Sequence, residues 1–445
     1  MVGAGIFSLP QTFGRATGGF GALVAWLIAG CGMLALALVF QTLSRRRPDL
    51  DAGVYAYAKA GFGNYLGFAS ALGYWSVGCL GNVSYWVLIK STLGAVFPVL
   101  GDGNTLTAIA LSSVGVWVVH ALILRGVRQA ALLNTIVTVA KIVPIAVFLV
   151  LVGMAFRWDV FAANFAGGTQ GLMTQVRATL LVTVFVFVGI EGASVYSRYA
   201  RDRRDVGRAT VLGFLGVLLL LVLVTMFSYG VLPRADLAGL RNPSMAGVLR
   251  AVVGDWGAVF VSLGLVVSVL GAYLSWSLLA AEVLYSAARL HSMPRFLARE
   301  NARGVPAAAL WLTNAMVQLF LVLSLFAEQA FLLALKLTSS MILLPYLLVA
   351  AFGLQLAWPQ RHARRGEFLC ALLATLYTAG LLYGGGLEFL LLSCVIYAAG
   401  TLLFVIVQRE RGQRVFTLPE LGIFAAAVLG AALAVAGLAS GRIAL

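Results

Sequence analysis

Long apolar runs organise the chain, each about the length of a membrane-crossing helix, with short polar, Gly- or Pro-bearing loops between them. The runs lie at 20–43, 62–97, 105–124, 133–155, 176–197, 208–232, 255–288, 307–326, 329–354, 368–384, 387–408 and 419–438. An opening segment, 1–16, reads as part of a further span. A transmembrane strand needs only about 9–11 residues and alternates in polarity. These runs are longer and do not alternate, so the pattern predicts an all-α polytopic membrane protein.

Two spans are interrupted in a related way, by Gly3-Ala4-Gly5-Ile6-Phe7-Ser8-Leu9-Pro10 and by Val188-Gly189-Ile190-Glu191-Gly192-Ala193-Ser194. They fall in the first and sixth spans, which predicts a 5+5 inverted repeat. Residues 1–155 would form its first half, 176–354 its second, and 368–438 would add accessory C-terminal helices. Unwound backbone inside a membrane is tolerated where it lines a protein-enclosed cavity, so the paired breaks point to one shared site near the midplane. Close helix packing or a simple kink is the alternative reading of the same glycines.

Composition narrows the class. Apolar residues make up 61% of the 445, charged residues 11%, and mean hydropathy is +0.98. A soluble domain carries about 25% charged residues, so this excludes a soluble enzyme, a disordered tail and a fibre. A net charge of +15 would suggest nucleic acid in a soluble chain, but here the charge is confined to loops between spans. Alternate loops hold Arg45–Arg47 and Lys59; Arg125 and Arg128; Arg198, Arg201, Arg203, Arg204 and Arg208; Arg289, Arg295, Arg299 and Arg303; Arg361, Arg364 and Arg365; and Arg409, Arg411 and Arg414. The opposite side holds Arg15, Arg157, Arg177, Arg234, Arg241, Arg250 and Arg442. The bias, about three to one, assigns the first set to the cytoplasm. The start, Met1-Val2-Gly3-Ala4-Gly5, has no basic n-region and reads as lacking a cleavable signal peptide. Cys31, Cys79, Cys370 and Cys394 form no CxxC pair and read as small buried hydrophobes, and three scattered histidines suggest no metal cluster. No cofactor is implied.

Glu191 is the most informative single residue. A carboxylate at mid-bilayer costs about 2.5–3.5 kcal/mol on insertion scales, so it is paired or functional: a proton carrier, a counter-charge, or a structural group bonded to nearby backbone. Glu282 reads as a partner for a loop arginine. Lys141 reads either as a cation facing the cavity or as a side chain reaching back to the cytoplasmic interface. Lys90 and Lys336 read the same two ways, and both fit a place near the outer interface. Trp276 is a mid-span aromatic able to face a flat cation. Asn82 is an amide able to bond a guanidinium or amine, with Tyr74 two turns before it on the same side. Packing and interhelical hydrogen bonding account for these three equally well. His120 has no intramembrane Asp or Cys at helical spacing, which argues against an enzyme; a non-transporting amino acid sensor is disfavoured because no signalling domain is visible.

The two glycine breaks, with Asp51-Ala52-Gly53-Val54-Tyr55-Ala56-Tyr57, resemble the amino acid–polyamine–organocation superfamily. Gly81-Asn82-Val83-Ser84-Tyr85, Asn242-Pro243-Ser244-Met245-Ala246-Gly247 and Phe296-Leu297-Ala298-Arg299-Glu300-Asn301 narrow the resemblance to its basic amino acid/polyamine antiporter family, over nearly the whole chain. The resemblance implies a leucine-transporter-like fold in a bacterial inner membrane. It also implies exchange of cationic amino acids, arginine against ornithine, with lysine, histidine or agmatine exchange or proton-coupled uptake as alternatives. Gly3, Ala4 and Gly5 would bind the substrate carboxylate, and carbonyls around Phe185 and Val188 the α-amino group. Asn82 and Trp276 would hold the side-chain cation. Tyr74 would line the outward gate, Glu191 would gate or couple, and Lys141 would stand where sodium binds in other members. Phe185 replaces a gating tryptophan. Family members begin with half a helix before the first break, so the first helix is expected to lack about 20 residues here. The partners implied are the substrates, the lipid bilayer and a second copy in a homodimer, with no nucleic acid.

Overall fold

The computed structural model describes residues 3–50, 53–126, 130–168, 170–191, 203–327 and 329–443. Asp51, Ala52, Gly192, Ala193 and Ser194, named above, lie outside the described residues. Every regular element among the described residues is helical. After a short 3-10 turn at Ala4–Ser8 come α1 (Leu9–Ala16), α2 (Gly19–Arg46), α3 (Val54–Phe62), α4 (Asn64–Gly94), α5 (Leu106–Leu124), α6 (Ala130–Met154), α7 (Trp158–Asn164) and α8 (Leu172–Phe187). The second half holds α9 (Arg203–Tyr229), α10 (Arg234–Gly239), α11 (Ser244–Val253), α12 (Asp255–Arg289), α13 (Ala307–Leu323) and α14 (Ala330–Ala357). Three further helices close the chain: α15 (Arg365–Gly384), α16 (Leu387–Glu410) and α17 (Leu418–Ala439).

Among the described residues nine helices are long and apolar enough to cross a membrane, and α6 with α7, bent by 101°, makes a tenth. Central α4 is less apolar because it meets protein along nearly its whole length: Ser70, Ser76, Asn82, Ser84, Lys90, Ser91 and Thr92 are all buried in it. The run 62–97 divides at Gly63, whose φ of 89° suits glycine and ends α3 before α4 begins. Around α4 the helices turn apolar side chains outward, as lipid requires: Leu402, Leu212, Leu263 and Leu418 are mostly exposed. Cys31 is exposed on such a face, which corrects its reading as a buried hydrophobe; Cys79 is buried, and Cys370 and Cys394 are partly so.

Contacts between loops sort them into two layers. On the arginine-rich side Arg46 pairs with Glu367, and Lys59 Nζ donates to Ser292 at 2.9 Å. The Arg295 amide donates to Glu410 there at 3.0 Å, and Arg303 donates to the Arg125 carbonyl at 2.6 Å. On the other side Arg15 bonds Ala238 O and Gln329, the Arg234 amide bonds Asn164, and Arg241 pairs with Asp102. The alternation is the one that the charge pattern predicts.

Candidate functional site

Both interruptions are built by local chemistry. The first begins at Gly3, whose extended backbone opens the 3-10 turn; the Ser8 hydroxyl then donates to Gly5 O at 2.8 Å, and Pro10 enters the first turn of α1. In such a turn the amides of Gly3, Ala4 and Gly5 find no acceptor within the helix. The second follows α8. Val188 turns extended (ψ 133°) and Gly189 adopts φ 101°, a conformation open to glycine at little cost, so the helix stops at Phe187.

The breaks pack against each other. A methyl group at Gly5 would stand 2.7 Å from Val186 and 2.9 Å from the Phe185 ring, so this approach requires glycine. Between them lies a cavity of about 230 Å³. Of the residues singled out in the sequence, Gly3, Ala4, Gly5, Lys141, Phe185, Val188 and Trp276 line it. Lys141 therefore faces the cavity. Gly81, Tyr85, Ser275 and Thr338 also line it, and the sequence reading passed over them: a glycine, a tyrosine and two hydroxyls in apolar helices carry no distinguishing signal.

Asn82 stands one residue from the lining Gly81. It is wholly buried, its Nδ2 donates to Ser277 Oγ at 3.1 Å, and its Oδ1 has no partner among the described residues. The Phe185 carbonyl accepts from the Val188 amide at 3.3 Å. Glu282 accepts from Ser286 one turn on, at 2.9 Å, and pairs with no arginine among the described residues.

Glu191 and Tyr74 belong to a separate cluster, on the arginine-rich side of the cavity. Tyr74 donates to Glu191 Oε1 at 2.7 Å, Tyr346 donates to Oε2 at 2.6 Å, and the Gly189 amide reaches Oε2 at 3.1 Å. Glu191 and Tyr346 are 0% exposed. Tyr74 comes before the lining Val77 and Gly81 on α4, which runs from the arginine-rich side outward. It therefore stands toward the arginine-rich end of the cavity, whereas the resemblance implied an outward-gate role. The sequence reading missed Tyr346, which joins α14 to the second break.

A larger cavity, about 420 Å³, opens on the arginine-poor side, lined by Gln11, Arg15, Asp102, Arg241, Asn242 and Lys336 among others. Lys336 is thus at the outer side, with Nζ 5.2 Å from the Phe389 ring. Lys90, next to the outer-cavity residue Ser91 on α4, is fully buried, and its Nζ has no partner among the described residues. Three helices each carry the same succession of stations. Along α4 these are Tyr74 at the closure, Gly81 at the central cavity and Ser91 at the outer one. The α8 segment carries Glu191, Phe185 and Val182 in that order, and α14 carries Tyr346, Thr338 and Lys336. No group of three or more His, Cys, Asp or Glu among the described residues is placed to hold a metal.

The amino acid permease family profile matches residues 1–429. An arginine/ornithine antiporter of Pseudomonas aeruginosa is 51% identical, over 99% of this chain and 95% of its own length. A putative arginine/ornithine antiporter of Escherichia coli is 45% identical (91% and 88% covered), and an L-lysine transport protein of Corynebacterium glutamicum 41% identical (100% and 93%). With its helices long and apolar enough to cross a bilayer many times, the chain is a multi-pass membrane protein and belongs to the amino acid permease family.

Proposed function

We propose that the protein exchanges extracellular arginine for intracellular ornithine by alternating access, in a bacterial inner membrane with the arginine-rich loops in the cytoplasm. The observation that carries this reading is the ordered route along α4, α8 and α14: an open outer vestibule, a central cavity between two broken helices, and a hydrogen-bonded inner closure. The relatives named for arginine/ornithine exchange, similar over almost the whole chain, support the choice of substrates. Residues 1–155 and 176–354 act as the two repeats that rock about the cavity, with 368–438 as accessory helices. The outward apolar faces of α15, α16 and α17 meet lipid or a second copy.

In this reading the amides of Gly3, Ala4 and Gly5 take the substrate carboxylate. Carbonyls near Phe185 and Val188 take the α-amino group. The Trp276 face and the Asn82 amide hold the cationic end. Lys141 supplies a fixed positive charge within the cavity. Tyr74, Glu191 and Tyr346 keep the inner side closed until the helices rearrange. Binding, closure and release suffice, with no covalent step and so no enzyme chemistry.

Arginine and ornithine each carry one net positive charge, so one-for-one exchange moves no net charge and the membrane potential neither drives nor opposes it. Liposomes test the mechanism: radiolabelled arginine uptake depends on ornithine loaded inside. Equal uptake into empty liposomes would exclude exchange. Competition by lysine at ornithine-like concentrations would redirect the substrate assignment to that of the L-lysine transport relative, and competition by agmatine would redirect it to arginine/agmatine exchange.

A further inference from the structure

Pro345 lies inside α14, one residue before the Tyr346 whose hydroxyl bonds Glu191. Proline has no N–H, so the Met341 carbonyl, one turn earlier, loses the amide that a helix would normally offer it. A buried carbonyl left unpaired costs free energy, and a helix bends most readily at such a turn. The Met341 carbonyl does find a donor, and it comes from outside α14. The Tyr397 hydroxyl, on α16, donates to it at 3.2 Å.

Space for that hydroxyl is kept open by α4. A methyl group at Gly73 would overlap Tyr397 Oη and stand 3.1 Å from both Met341 O and the Pro345 ring, so the junction requires glycine there. Gly73 precedes Tyr74 as Pro345 precedes Tyr346, so the tip of Tyr397 sits beside the neighbours of both tyrosines that donate to Glu191. The rest of α16 follows the same route. Toward the outer side Ser340 on α14 donates to Phe389 O at 3.0 Å and stands 2.9 Å from Ser393 Oγ. Toward the arginine-rich side Thr401 lies 3.0 Å from the Tyr65 hydroxyl on α4, and a methyl group at Gly400 would overlap Leu72. A helix that the sequence reads as accessory is thus fitted to α14 and α4 alongside both cavities and the inner closure.

We propose that Tyr397 is a positioning residue for the inner closure: it holds α14 at Pro345 so that Tyr346 meets Glu191, and through it α16 sets how tightly arginine entry is coupled to ornithine exit. The proposal rests on the reading of Tyr74, Glu191 and Tyr346 as that closure. Packing α16 against the core would need only the Tyr397 ring. The geometry instead brings its hydroxyl to the carbonyl that the proline leaves without an amide, in a gap that a glycine keeps clear. Without that bond the turn before Tyr346 gains freedom, and the closure is made less often.

Uptake of radiolabelled arginine by the full-length protein in liposomes, with and without internal ornithine, tests this. Tyr397→Phe keeps the ring and removes the hydroxyl. Its uptake into empty liposomes should rise about fivefold over wild type, what the loss of one ordinary hydrogen bond does to an equilibrium, while exchange with ornithine continues. Pro345→Ala separates this role from packing, because the alanine amide can supply the Met341 carbonyl from within α14. In that background Tyr397→Phe should leave the leak unchanged, and in a Tyr346→Phe background it should add nothing either. A Tyr397→Phe protein as tight as wild type overturns the proposal alone, and so does a fivefold rise that persists in either background. A Tyr346→Phe protein as tight as wild type overturns the closure reading, and equal wild-type uptake into empty and loaded liposomes overturns exchange; the proposal falls with either.

Discussion

On the arginine-rich side of the route, a wholly buried carboxylate holds α4, α14 and the second break together, each of its oxygens accepting from a tyrosine that is itself buried. On the opposite side, Arg241 and Asp102 pair across loops with 40% and 72% of their side chains exposed, and Arg15 bonds Gln329 at the surface. Both are polar contacts between segments flanking the proposed substrate route, but water treats them differently. A buried contact that loses one partner leaves the rest desolvated and unsatisfied, whereas an exposed pair exchanges its partner for water. The inner closure should therefore be strong and all-or-none. The outer one should be weak and sensitive to salt.

Glu191→Ala tests that contrast most severely. It removes the buried acceptor of two tyrosine hydroxyls and the Gly189 amide, and should cost about 1–3 kcal/mol for each buried donor left unsatisfied. The expected readouts are loss of arginine–ornithine exchange and a clearly lower unfolding temperature in detergent. Glu191→Gln retains one oxygen and should fall between the two. A Glu191→Ala protein as stable as wild type would remove the distinction between the two closures.

How far the sequence revealed this region depended on the kind of signal each residue gives. Glu191 was legible because a carboxylate in an apolar run contradicts its surroundings, and the breaks because glycines interrupt helices in patterned positions. Tyr346 was not. A tyrosine between Pro345 and Leu347 looks like packing, and its partner is 155 residues away in the chain. The same distance problem hid the surroundings of His120, read as isolated because helical spacing was searched, while Asn314 reaches it across 194 residues. Tyr74 stands on the arginine-rich side of the cavity, where the resemblance implied the outward gate. Sequence spacing gave its face of α4, but only the packed helices show that it precedes the lining residues on the arginine-rich side. Most spans were legible to within a few residues, because lipid imposes length and apolarity independently of any partner, but 176–197 was read past Phe187, where the helix stops.

Gly5→Ala comes next in size. Its methyl group would press on Val186 and the Phe185 ring, and overpacking of this kind typically costs about 1–3 kcal/mol. The two breaks would be wedged apart, so arginine binding should weaken by more than the loss in stability alone predicts. Calorimetric affinity beside a melting curve separates the two effects, and unchanged affinity would mean that the breaks tolerate separation. Tyr346→Phe is milder still. It removes one donor to Glu191 while keeping the ring near Phe40, 6.1 Å away, and a hydrogen bond to a charged group contributes about 1.5–3 kcal/mol. Less of the inner closure would survive each cycle, so counterflow should become leaky: arginine uptake into liposomes without internal ornithine should rise above the wild-type background.

Asp102→Asn should produce the smallest change. The pair with Arg241 is largely exposed, Arg241 also donates to the carbonyls of Gly94 and Gly101, and removing the charge leaves those contacts in place. Exposed pairs contribute about 0.2–1 kcal/mol, so the melting temperature should fall by no more than about 2 °C. That difference should shrink further at 1 M salt, where the screening length is about 3 Å. Exchange should continue, because water can replace the carboxylate in an open vestibule. A variant as damaged as Glu191→Ala, or a salt-independent loss, would mean that the outer pair is desolvated in some stage of the cycle, and the contrast between a dry inner closure and a wet outer one would hold for a single conformation only.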